Sequence, residues 1–172
     1  MSGELNWVRA DHHPELLAEP VLAAVRGLDE ARVAEIDPAL ADTAAFCERY
    51  GMPLSTSANC VVVAARRGGE VSYAACVVPA TRRADVNGVV RRHLGARKAS
   101  FAPMEEATGL TGMEYGGITP FGLPEDWPVL VDETVVAEDE VVVGSGVRRS
   151  KLLVPGKLLA GLPGAEVLAL TR

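Results

Sequence analysis

Apolar positions along the chain change their period several times, and each change marks an element. Between His13 and Leu28 the residues Leu16, Leu17, Val21, Leu22, Val25 and Leu28 recur at helical spacing, with Pro20 interrupting them. Two short helices, or one helix beginning near Pro20, satisfy that pattern, because proline is tolerated in a first turn. A short strand is predicted over 31–36. Asp37-Pro38 then opens a second helix through Tyr50, packed on Leu40, Ala44 and Cys47 and ended by Gly51 and Pro53.

From Cys60 the helical period gives way to nearly unbroken apolar runs, 60–65 and 71–78, separated by Arg67-Gly68-Gly69-Glu70. This pattern predicts a hairpin whose strands are covered on both faces and so lie centrally in a sheet. Asp85 suits the N-cap of a helix through Leu94, with Val86, Val89, Val90 and Leu94 inward, Arg91-Arg92 outward and Gly95 as its stop. A short strand over 98–102, a short helix over 103–110 and a glycine-rich loop over 112–122 follow. Strands at 128–132, 140–143, 151–154 and 165–170 complete the pattern, with a helix at 155–162. Because strands come in runs with helices dispersed irregularly, the chain reads as α+β. A mixed sheet of six or seven strands with helices around it fits better than a regular doubly wound fold.

The 172 residues are enough for one ordinary domain, divided here into a helical extension, 1–30, and a domain over 31–172. No run approaches the roughly 20 apolar residues of a membrane helix. Met1-Ser2-Gly3-Glu4-Leu5-Asn6 also lacks the order of a signal peptide, so a cytoplasmic protein without a membrane partner is expected. Cys47, Cys60 and Cys76 form an odd set without CxxC spacing, which points to small buried apolar residues rather than a disulfide framework or a zinc knuckle.

Net charge changes the picture through its placement. Residues 1–65 carry 4 Lys/Arg and 10 Asp/Glu, residues 66–100 carry 8 and 2, and residues 101–172 carry 5 and 11. The middle segment is therefore basic within a chain of net charge -6. Its pairs Arg66-Arg67, Arg82-Arg83 and Arg91-Arg92, followed by Arg97-Lys98, suit either phosphate contacts or a solvated face. Few aromatic residues interleave them, so stacking on a single strand is not indicated.

Conventional catalytic groups are poorly represented. No serine lies in a GxSxG context, and His12, His13 and His93 fall in no pattern that pairs them with a nucleophile. The acid pairs Glu105-Glu106, Glu125-Asp126 and Asp132-Glu133 lack metal-site spacing, so neither metal nor cofactor is expected. Two glycine-bearing turns stand out instead, Gly116-Gly117-Ile118-Thr119-Pro120-Phe121-Gly122 and Gly144-Ser145-Gly146, each beside a strand. Such turns expose backbone N–H and C=O groups that can grip an amine, a carbonyl or a ribose hydroxyl; they also occur as ligand-free structural turns.

The order of the pieces is more specific. Lys98-Ala99-Ser100-Phe101-Ala102, Glu105-Glu106, Thr108-Gly109-Leu110-Thr111-Gly112, the Gly116–Gly122 turn, Pro128-Val129-Leu130-Val131-Asp132-Glu133 and Val143-Gly144-Ser145-Gly146 resemble, in that sequence, the YbaK/EbsC family. These proteins are relatives of the editing domain inserted in bacterial prolyl-tRNA synthetases, and the likeness runs from about residue 30 to the C-terminus. The resemblance implies a mostly antiparallel, barrel-like α+β fold and a trans-editing hydrolase that cleaves the ester joining a wrong amino acid to tRNA. The implied partners are the aminoacyl-tRNA acceptor end and an aminoacyl-tRNA synthetase, not DNA.

The resemblance also assigns roles. Gly117, Ile118, Thr119 and Pro120 would hold the ester. Gly116, Phe121, Gly122, Gly144, Ser145 and Gly146 would line the substrate pocket, joined by Lys98 and Ser100. From the placement of charge rather than from the resemblance, the acceptor-stem phosphates would meet some of Arg66, Arg67, Arg82, Arg83, Arg91 and Arg92. Relatives commonly carry a lysine at the head of the first hairpin strand, where this chain has Asn59. Asn59 supplies hydrogen bonds but no charge, so a weakly active or inactive binder of aminoacyl-tRNA, a synthetase or an amino-acid-like ligand is the alternative expectation.

Overall fold

The computed structural model describes residues 4–172; the first three residues of the N-terminal extension lie outside them. The chain opens with β1 (Val8–Arg9), passes through two 3-10 turns and enters α1 (Glu19–Val25), with Pro20 in its first turn. After β2 (Arg32–Glu35), the segment expected as one helix divides in two. A 3-10 turn, Pro38–Leu40, is capped by the Asp37 carboxylate, and α2 (Thr43–Tyr50) begins only after Ala41-Asp42. The break turns Phe46 and Cys47 inward and leaves Ala44 exposed, so the packed face differs from the Leu40-Ala44-Cys47 stripe read from the sequence.

The hairpin forms as expected. β3 (Ala58–Arg67) and β4 (Glu70–Pro79) pair in antiparallel register from Ala58↔Pro79 to Arg67↔Glu70. Gly68 and Gly69 make the two-residue turn with φ of 57° and 83°, left-handed values that match the strands' twist and that side chains resist. Asp85 accepts hydrogen bonds from the Gly88 and Val89 amides and caps a π-helical turn, Val86–Val90, which runs into α3 (Arg91–His93). Next come β5 (Lys98–Phe101), α4 (Met104–Thr111), the irregular 112–128 segment and β6 (Val129–Asp132). A helix absent from the sequence reading, α5 (Glu133–Val136), precedes β7 (Val141–Gly144), β8 (Ser150–Val154), α6 (Gly156–Ala160) and β9 (Ala165–Leu168).

The strands form two sheets rather than one closed barrel. β1-β2-β8-β7 is antiparallel throughout, while β5-β3-β4-β6-β9 becomes parallel at β4–β6 and β6–β9. A single parallel bridge, Ser57↔Val142, joins them. The two sheets stack with their inner faces packed on each other. Val33, Val143 and Leu152 of one sheet share the main core with Val77, Val129 and Val131 of the other.

The N-terminal segment belongs to this core: Ala10, Leu17, Ala18, Val21 and Val25 are buried in it. Its 14–21 stretch also backs the two glycine turns. The Ala18 amide donates to the Ser145 carbonyl at 3.2 Å, and the Ser150 hydroxyl donates to the Leu16 carbonyl. Among the described residues no helix is long and apolar enough to cross a membrane.

Candidate functional site

A cavity of about 480 Å³ opens where the two sheets meet. Its floor is the first half of β3, residues 58–62, and one wall is the start of α2 with Ala41, Asp42 and Thr43. Tyr115, Gly116 and Ile118 form the wall opposite, Gly144 and Lys151 close the inner side, and Phe101, Ala102, Met104 and Ala107 form the rim. Phe101, Met104 and Tyr115 are large apolar groups left more than half exposed at this mouth.

The geometry divides the residues singled out from the sequence. Asn59, Gly116, Ile118 and Gly144 border the cavity. Gly117 lies just behind it: its amide donates to the Glu114 carbonyl at 2.9 Å and its carbonyl accepts from the Gly146 amide at 2.7 Å. Gly116 and Ile118, by contrast, donate no backbone hydrogen bond to the described residues. Thr119, Pro120, Phe121 and Ser145 are buried outside the cavity wall, and the Thr119 hydroxyl has no partner among the described residues. Gly122 and Gly146 face Pro20 and Ala18 of the N-terminal segment rather than the cavity. Lys98 and Ser100 are exposed on β5, and Lys98 lies three residues from Phe101 on the rim, about 10 Å along the strand.

Close approach explains why a glycine stands at 144. A Cβ placed there would meet the Gly117 carbonyl oxygen at 2.5 Å and that of Ile118 at 2.7 Å. From the other side, a Cβ on Gly117 would meet the Val147 backbone at 2.8 Å. The two turns singled out from the sequence therefore interlock, and each holds the other's peptide groups in place.

Of the arginines, Arg66 pairs in register with Lys98, and Arg67 donates to the Gly95 carbonyl at 2.7 Å. Arg66, Arg67, Arg97 and Lys98 border one cleft at the hairpin tip, and Arg91 reaches back to the Asn87 carbonyl. Arg82 and Arg83 lie beyond the far end of β4, about 30 Å from that tip, and Arg92 is exposed on α3.

Of the cavity residues that sequence reasoning missed, among them Asp42, Thr43 and Tyr115, Lys151 is the buried cation. It is 6% exposed, and its ammonium lies 5.6 Å from the centre of the Phe46 ring. Burial, reinforced by Arg148 and opposed by Asp42 and Cys47, lowers its pKa from the ordinary 10.5 to about 8. Asn59 is fixed by α2: the Thr43 hydroxyl donates to its Oδ1 at 2.6 Å. Burial beside Cys76 pushes the Cys60 thiol well above its usual range, so it stays protonated at neutral pH, and all three cysteines are free. Among the described residues no group of three or more His, Cys, Asp or Glu is placed to hold a metal ion.

The depressed Lys151 pKa has a stability consequence. Between pH 8 and 10.5 the unfolded chain holds this proton more tightly than the folded one, so stability attributable to Lys151 rises with pH across that window. The penalty is full below pH 8 and amounts to at most about 3 kcal/mol. Urea denaturation at pH 7 and pH 10 is expected to show a steeper gain for the natural protein than for Lys151→Met.

Gly116 and Ile118 of one turn and Gly144 of the other thus border a single cavity. The profile of the aminoacyl-tRNA editing domain matches residues 37–162. The chain belongs to this family. Three solved structures resemble this editing domain along nearly their whole length. One, described as a proposed trans-editing enzyme for prolyl tRNA synthetase, is 25% identical with a TM-score of 0.77, covering 90% of this chain and 96% of its own. A hypothetical protein, 23% identical with a TM-score of 0.79, covers 90% and 100%. A scaffold protein used for computational epitope grafting, 24% identical with a TM-score of 0.77, covers 90% and 97%. The last two likenesses establish the fold. A comparison with curated proteins finds no match.

Proposed function

We propose that this editing domain hydrolyses mischarged aminoacyl-tRNA in trans, holding the aminoacylated terminal adenosine in the cavity between the two sheets. The observation that carries this reading is the convergence of Gly116, Ile118, Gly144 and Asn59 on one cavity with two unspent backbone amides beside it. Water attacks the ester carbonyl carbon, the bond to the ribose oxygen breaks, and that oxygen leaves with a proton as the 3′-hydroxyl. Main-chain donors fixed before the reaction stabilise the developing charge without reorganising, which is where such donors act most strongly. The exposed Phe101 and Tyr115 at the mouth suit stacking with the terminal base, and Lys98 with the neighbouring arginines suits the phosphates beyond it.

Incubation with a panel of mischarged tRNAs is expected to accelerate deacylation of at least one member. A flat panel with folded protein counts against the reading. Asn59 supports a second reading, binding without turnover, because its side chain is neutral and is already tied to Thr43. Activity that appears only in Asn59→Lys favours that second reading; robust activity in the natural protein removes it.

A further inference from the structure

We propose that the inner side of the cavity is an anion subsite, built by Lys151, Asn59 and the first turn of α2, which seats a carboxylate or phosphate of the aminoacyl-adenosine end. The proposal rests on the reading of the cavity as the aminoacyl-adenosine site and adds the chemistry of the group held at its inner end.

Three observations converge. First, Lys151 is 6% exposed and lines the cavity, yet no carboxylate among the described residues forms an ion pair with it. Isolated charges are expensive to bury, so a cation on a cavity wall without a protein counter-ion favours an anionic ligand. Second, Asn59 Oδ1 is occupied by the Thr43 hydroxyl at 2.6 Å, which leaves the amide's two N–H donors for the cavity. Third, α2 begins beside Lys151 with Asp42 as its N-cap, and the Asp42 side chain caps none of the first-turn amides. Those amides and the helix dipole favour negative charge in front of them.

The groups packed around Lys151 carry both signs, and their placement separates them. From α2 come Phe46, Cys47 and, at its start, Asp42; from the loop before β8 comes Arg148; and β7 places Gly144 opposite Lys151, a residue without a charge. Asp42 is the one acid on the cavity wall, but its side chain is 72% exposed and its Oδ1 lies 3.6 Å from Arg148 Nη1. The Arg148 fork is itself held by the Pro38 and Tyr115 carbonyls, so Asp42 is directed to the rim rather than to the inner wall. What faces the inner end is two sets of donors and a cation.

An anion there has two sources: the side chain of an acidic aminoacyl group, or the phosphate of the terminal nucleotide. Isothermal titration with stable probes separates them: the 3′-aspartylamino and 3′-alanylamino derivatives of 3′-deoxyadenosine form one pair, and adenosine 5′-monophosphate and adenosine the other. At pH 7 the anionic member of at least one pair is expected to bind about tenfold tighter or more, as a charge-assisted hydrogen bond allows. That preference should weaken above pH 8 as the amine loses its proton, persist in Lys151→Arg and vanish in Lys151→Met. Preference within the first pair assigns the side-chain carboxylate, and within the second the phosphate. Equal binding within both pairs, or a preference that survives in folded Lys151→Met and Lys151→Gln, overturns the anion subsite and leaves the editing reading intact. If none of the four probes binds, the aminoacyl-adenosine reading itself fails and the subsite with it.

Discussion

Gly144→Ala is expected to lower the deacylation rate by about 100-fold and to destabilise the fold by about 1–3 kcal/mol. The added methyl would stand 2.5 Å from the Gly117 carbonyl oxygen and 2.7 Å from that of Ile118, and neither neighbour is the flexible end of a side chain. Backbone must move, and the backbone that moves carries the amides of the cavity wall. A displacement approaching 1 Å suffices for a loss of that size in rate. Gly109→Ala supplies the contrast. Gly109 lies in α4 without a left-handed φ, and a methyl group placed on it would have nothing within 4 Å. Alanine there should gain about 0.5–1 kcal/mol and leave deacylation unchanged. Single-turnover deacylation and urea denaturation of the two variants, side by side, read both effects.

Asp132→Ala is expected to remove about 2–4 kcal/mol of stability, with little effect on the rate of the protein that remains folded. Asp132 is 1% exposed at the end of β6. Its Oδ1 accepts from the Leu170 amide at 2.8 Å, and its Oδ2 accepts from the Thr134 amide at 3.1 Å and from the Thr134 hydroxyl. Alanine would orphan the buried Leu170 N–H and uncap α5 together. Asp132→Asn keeps one acceptor oxygen and should fall between the two. Because Asp132 does not line the cavity, a fall in activity larger than the fall in folded fraction would contradict this division of labour.

Asp132 also illustrates what a sequence reveals and what it hides. Val131-Asp132-Glu133 is one of the runs that carry the family resemblance, and here its acid serves the fold by capping α5 and tying down the chain end. The hairpin is legible because Gly68-Gly69 and the apolar runs on either side are local signals, and so is the interlock's raw material, the glycines at 116–117 and 144. Lys151 is not legible. It reads as the polar head of an apolar strand, and only the distant α2, with Phe46 laid over the ammonium, converts it into a buried cation on a cavity wall. The faint signal is the alternation Lys151-Leu152-Leu153, which places Lys151 on the face of Leu153, and Leu153 packs against Phe46 and Cys47. Division into two sheets is likewise invisible, since it follows from how Val33, Val143 and Leu152 meet Val77, Val129 and Val131 across the core. The N-terminal segment reads as a preface because its charge is acidic and its helix short, yet its apolar stripe seals the main core and backs both glycine turns.

A crystal structure with 3′-alanylamino-3′-deoxyadenosine tests the central claim most directly. The adenosine is expected at the mouth beside Phe101 and Tyr115, with the amide that replaces the ester next to Gly116 and Ile118. Density for the ligand elsewhere on the protein, with that cavity unfilled at saturating concentration, would contradict the account.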